Sequence, residues 1–149
     1  MKTDSRDVSD LVSLSIDRDG RWFCGEQEII HPKVLKAFQE NLRCDASGRH
    51  FVAMEGETCT VKVADAPFVV VTLRGDSAKG FQLILNSAES VRLDPATLSL
   101  GTDGAFYATL QDGLRARFAR AAHNLLAQEA FEQDGGYALK IAGRVYRIA

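Results

Sequence analysis

The run Phe68-Val69-Val70-Val71-Thr72-Leu73 constrains this chain more than any other stretch. It is the densest apolar segment and is rich in β-branched residues, and Pro67 stands immediately before it. A proline cannot donate to a sheet ladder and pushes the residue before it into extended geometry. With no polar face until its end, the run fits a central strand covered on both sides. The pattern upstream is different. Cys59, Val61 and Val63 alternate with Thr58, Thr60 and Lys62, the period of two of a half-buried strand. Glu55-Gly56-Glu57 reads as a three-residue hairpin loop joining that strand to one around Phe51. Between the two patterns, Ala64-Asp65-Ala66-Pro67 turns a corner. The expectation is a seam at Asp65 between two small lobes.

The rest of the chain is expected to fall into strands and two helices. Residues 1–13 read as a flexible polar tail. Leu14–Ile16, Arg21–Cys24 and Glu28–Ile30 suggest short strands separated by the turns at Asp17–Gly20 and Gly25–Gln27. His31-Pro32 opens a helix, since proline is favoured at a first helical position, and Val34, Leu35, Phe38 and Leu42 line one face as far as about Cys44. Beyond Leu73, the segments Phe81–Leu85, Val91–Leu93, Thr97–Leu100 and Ala105–Leu110 read as a meander of strands. Asp112 is placed to cap a long second helix over about 112–131, with Leu114, Phe118, Ala121 and Leu125 on its apolar stripe. Tyr137–Ile141 and Arg144–Ile148 close the chain as a hairpin. Asp19–Phe23 echoes Asp103–Tyr107, which suggests a repeated strand–helix–hairpin unit. The fold class expected is α+β: an α/β roll over 14–64, followed over 65–149 by a mainly β roll carrying one long helix.

Several segments together resemble the bacterial family catalogued as domain of unknown function 1285. They are Ile16–Gly25, Phe38 to Leu42 with Asp45–Gly48, Val61–Phe68 and Tyr107–Arg117. The resemblance implies a two-lobed fold, an α/β roll and then a mainly β roll. It implies no known activity, cofactor or catalytic residue. This chain departs from the family's pattern at Ile29-Ile30, where a Pro-Ile pair is more usual.

Charge excludes some classes of partner. The net charge is −2, from 18 basic and 20 acidic residues, and neither half of the chain forms a basic pole. The electrostatic footprint of a nucleic-acid binder is therefore missing. No apolar run approaches the roughly 20 residues of a membrane helix. The polar, acid-containing start does not read as a signal peptide, and three cysteines without a CxxC pair fit reduced thiols in a cytoplasm. No cofactor motif is recognisable.

Four sets of side chains are candidates. Asp65 is a base or cation ligand at the seam, or else the acceptor of an Asx-type turn. Arg117 and Arg120, with Asn124 on the same helical face, suit a carboxylate or phosphate, or else they pair with acids or are solvated. Cys24 with His31 is a possible dyad, against structural roles for both, and no metal site has recognisable ligand spacing. Trp22 and Tyr107 line a cleft between the lobes, or else belong to the core. The function expected is a non-catalytic module that binds a small molecule or a protein at a site between the lobes. An enzyme using Asp65 or Cys24 with His31 is an alternative, and a structural homo-oligomer is another.

Overall fold

The computed structural model describes residues 13–148; the tail expected at 1–13 lies almost wholly outside them. The described chain is α+β, with two short helices and fifteen strands. It divides into two compact units, one ending at Pro67 and one beginning at Phe68. No helix among the described residues is long and apolar enough to cross a membrane.

The first unit is built on a six-stranded sheet. Its strands are β1 (Leu14–Ile16), β2 (Trp22–Cys24), β3 (Gln27–Glu28), β4 (Leu42–Cys44), β5 (His50–Met54) and β6 (Glu57–Val63), in the order β3-β2-β1-β6-β5-β4. Neighbours are antiparallel except β1 and β6, which run parallel at the centre. Leu14, Ile16, Trp22, Leu42, Val52 and Val61 are buried. Helix α1 (Pro32–Glu40) joins β3 to β4, and Phe38 on it stacks on Trp22 with ring centroids 5.6 Å apart. His31 is its N-cap, and Nδ1 accepts a hydrogen bond from the Lys33 amide at 3.3 Å. The helix stops at Glu40 rather than near Cys44. Leu42 instead pairs with Val52 in the sheet, where it is buried. The Glu55-Gly56 loop has two residues, not three: Met54 pairs with Glu57, and both loop residues have the positive φ of a tight hairpin.

The second unit repeats that arrangement. Its six-stranded sheet comprises β7 (Phe68–Asp76), β8 (Gly80–Leu85), β9 (Ser90–Arg92), β10 (Ser99–Leu100), β11 (Phe106–Thr109) and β12 (Arg115–Phe118). Counted from its own first strand, it has the same order as the first sheet, and its first and sixth strands, β7 and β12, are again the parallel pair. The chain therefore does repeat, but not in the register suggested by the Asp-Gly echo. Asp19-Gly20 lies between first and second strands, whereas Asp103-Gly104 lies between fourth and fifth. The counterpart of Asp103-Gly104 is Ser47-Gly48, between β4 and β5.

A shared turn sets most of these hairpins. In residues 17–21, 45–49, 85–89, 101–105 and 110–114, the first amide donates to the fifth carbonyl and the fourth amide to the first carbonyl. The fourth residue has positive φ each time; it is glycine in four turns and Ala88, at φ 72°, in the other. This is a type I turn followed by a left-handed bulge residue.

β7 is central, as its apolar run suggested, but only Phe68, Val69 and Val70 are buried. A bulge separates Val70, opposite Leu85, from Thr72, opposite Ile84. Val71 is the extra residue and is 40% exposed. The insertion reverses the alternation, so Leu73 pairs with buried Leu83 on the face that Val70 shares with Leu85.

The long second helix is not formed. Residues 115–118 are strand β12, α2 spans only Arg120–Ala127, and residues 130–133 are strand β13 (Ala130–Gln133). The sequence Arg-Ala-Arg-Phe alternates, burying Ala116 and Phe118, and its pairing with β7 and β11 outweighs the helical stripe. Helix α2 packs on β7, with its His123 ring 4.5 Å from Phe106. A three-stranded sheet of β13, β14 (Gly136–Ile141) and β15 (Arg144–Arg147) completes the unit, with Asp134-Gly135 and Ala142-Gly143 as two-residue turns.

Candidate functional site

Arg117 lies on a strand rather than in the first turns of a helix, so no helix dipole opposes it. It faces Tyr107 across the β11–β12 pair. Its Nη1 donates to the Tyr107 hydroxyl at 2.6 Å, and its Nη2 lies 3.0 Å from an Asp103 carboxylate oxygen. The Arg115 guanidinium covers the Tyr107 ring at 4.4 Å. The Ala105 amide and the Arg117 guanidinium hold the Asp103 carboxyl below its ordinary range. Burial opposes the charge of Arg117, but its bonds to Asp103 and Tyr107 outweigh burial and raise its pKa. This set braces the β10–β11 turn to β12. Arg120 and Asn124 are exposed one turn apart on α2.

Trp22 and Tyr107 belong to different units, and both are buried. They occupy a second strand and a fifth strand, so they are not equivalent positions. The Trp22 indole N–H has no hydrogen-bond partner among the described residues. Asp65 is half-buried in the bend before β7, where the Ala64 amide donates to the Ile16 carbonyl.

Cys24 is exposed at the end of β2, and His31 is used as a helix cap. Burial, then the neighbouring Cys24, pushes the Cys59 thiol up, which is the reverse of activation. No group of three or more His, Cys, Asp or Glu side chains able to hold a metal is present among the described residues.

The sequence reasoning missed a groove of about 650 Å³ in the second unit. One wall is continuous chain from Ser90 to Pro95, comprising β9 and the start of the next turn, and the other includes Leu110, Ile141 and Tyr146. The Ala142 amide donates to the Ser77 carbonyl at 2.8 Å, tying the last hairpin to the β7–β8 turn. Arg92 lies across Gly80, where an added Cβ would meet its Nη2 at 3.0 Å, and that Nη2 donates to the Lys79 carbonyl at 3.1 Å. Asp94 is engaged within its own turn, where its Oδ1 accepts from the Ala96 amide at the head of a short 3-10 segment (Pro95–Thr97). The one sequence signal for this place was a short strand around Val91 between two turns, which marks a sheet edge.

Two solved structures share the fold. One is a DUF1285 family protein from Silicibacter pomeroyi DSS-3, with a TM-score of 0.79 and 23% identity over 92% of this chain and 79% of that one. The other is a DUF1285 family protein from Shewanella baltica OS155, with a TM-score of 0.69 and 22% identity over 83% of this chain and 95% of that one. At these identities the likeness is one of fold, and the family they name is the one that the sequence motifs resemble. No family model matches the chain, and no curated protein matches it.

Proposed function

We propose that the protein is a non-catalytic binding module of the DUF1285 type, and that its ligand site is the groove along β9. The groove itself carries this reading: about 650 Å³ is the size of a small-molecule or short-peptide site, and its lining mixes an apolar wall with a few polar groups. Among the described residues the lining contains no Cys or His, and its one carboxylate, Asp94, caps a turn. The proposal places the protein in the cytoplasm, in keeping with three free cysteines. Arg117 is left a bracing role, because Asp103 and Tyr107 already hold it.

The test is a ligand-observed NMR screen of a fragment library against the protein and its Gln111→Trp variant. Gln111 is an exposed turn residue on the groove wall, so a larger ring fills the groove without entering the core. Fragments that bind the parent and not the variant are the expected result. An identical hit list for both proteins means that the groove is not the site.

A further inference from the structure

We infer that the groove takes an extended peptide segment, which adds to β9 as a seventh strand and presents an acidic side chain to Arg92. This rests on the groove being the binding site, and it names the occupant.

β9 is an edge strand: the order of its sheet ends β7-β8-β9. The direction of its free backbone groups follows from two hydrogen bonds. The Leu93 amide donates to the Phe81 carbonyl, and the Leu85 amide donates to the Glu89 carbonyl. These two pairs and the pair Leu83–Val91 have the same parity in one antiparallel ladder. Hydrogen-bonded and non-bonded pairs alternate in such a ladder, so Val91 bonds inward to β8. Ser90 and Arg92 then direct their N–H and C=O groups away from the sheet. Every residue from Ser90 to Pro95 lines the groove, whichever face of the sheet its side chain takes. The space therefore lies along the edge of the strand rather than over one of its faces.

An unpaired row of alternating donors and acceptors is complementary to another extended backbone. Two residues of an incoming strand can exchange hydrogen bonds with Ser90 and Arg92. Its apolar side chains meet Leu110, Ile141 and Tyr146 on the facing wall. Charge selects the rest. Among the described residues Arg92 is the only cation in the lining, and it has no carboxylate partner there. One Nη donates to Lys79, which fixes the guanidinium and leaves its other donors for a carboxylate.

The experiment pans a display library of random seven-residue peptides against the full chain and against its Arg92→Glu variant. The best binder is then made in three forms, one plain and two N-methylated at alternate residues, one in each register, so that each removes the donors of one edge. The expected result is enrichment of Asp or Glu between apolar residues on the parent protein. Methylation in one of the two registers should weaken binding tenfold or more, and Arg92→Glu should shift selection to Lys or Arg. The Ser90 and Arg92 amides should gain hydrogen-exchange protection in the complex. Binding indifferent to methylation in both registers overturns strand addition, and that measurement needs no altered protein. If fragments lose binding in Gln111→Trp but no peptide is enriched, the groove takes a small molecule and the peptide inference falls alone. If neither fragments nor peptides respond to Gln111→Trp, the groove reading falls with it.

Discussion

The two sheets have one topology and two ways of crossing it. Each runs through three strands, crosses over, and returns through three more, so that its sixth strand lies parallel to its first. In the first unit the crossing is the nine-residue helix α1; in the second it is the three-residue turn Pro95–Thr97. Both crossings begin with a capping side chain followed by proline, His31-Pro32 and Asp94-Pro95. The helix is therefore not what specifies the strand order. It contributes cover. In the first unit Phe38 shields Trp22, whereas in the second the cover comes from after the sixth strand, where α2 packs on β7. That frees the second crossing to be short, and its short crossing and edge strand form one wall of the groove.

Trp22→Ala probes this contrast most strongly. It removes the largest fully buried side chain of the first unit and the partner of Phe38. A loss of about 3–5 kcal/mol is expected. Hydrogen exchange resolved by residue should show it in β1–β6 first; equal loss of protection in both units would mean that they unfold as one. Gly75→Ala tests the long β7–β8 hairpin, whose first-unit counterpart is the short β1–β2 pair. Gly75 has φ 104°, and an added Cβ would run into the Gly80 carbonyl oxygen. About 2–3 kcal/mol should be lost in denaturant titration, and a change below about 1 kcal/mol would show that the hairpin gives way easily.

Ala88→Gly works in the other direction. Ala88 is exposed and holds the left-handed position that glycine takes in the four sister turns. Relieving it should raise stability by about 0.5–1 kcal/mol, net of the entropy glycine costs in the unfolded chain. A loss in the same titration would contradict the equivalence of the turns. The smallest effect is one of slope. Burial pushes the His50 imidazole below its ordinary value of 6.5, with Asp45 pulling weakly the other way. The folded chain then binds fewer protons than the unfolded one just below that pH, so this contribution is complete above 6.5 and declines as the pH falls. Melting temperatures followed from about pH 7.5 to about pH 5 should decline less in His50→Gln; parallel curves would show that His50 contributes nothing to the slope.

The sequence was most legible where one residue settles the local geometry. Pro32 marked the start of α1, Gly48 and Gly104 marked turns, and the alternation of Phe81, Leu83 and Leu85 matched a buried face. It misled where two periods coincide. Leu114, Phe118, Ala121 and Leu125 fit a helical stripe, yet Ala116 and Phe118 also fit a strand, and only the distant partner β7 decides between them. The bulge at Val71 is invisible for the same reason, since it exists only relative to β8. The groove was out of reach because its walls come from three separate stretches of chain, 90–95, 110–111 and 141–146, the last tied down by the Ser77–Ala142 hydrogen bond.

The parallel pairing at the heart of each sheet also sets an order of assembly at the ribosome. The first sheet can close once Val63 has emerged, whereas β7 must wait for β12 near Phe118. At about 5–20 residues per second, roughly 2.5–10 s pass between synthesis of the two strands. For that interval the Phe68–Val71 run has an open edge, the kind of segment that nucleates aggregation. Pro67 and Arg74 bracket it, and a proline and a charge are the residue types that restrain such a segment.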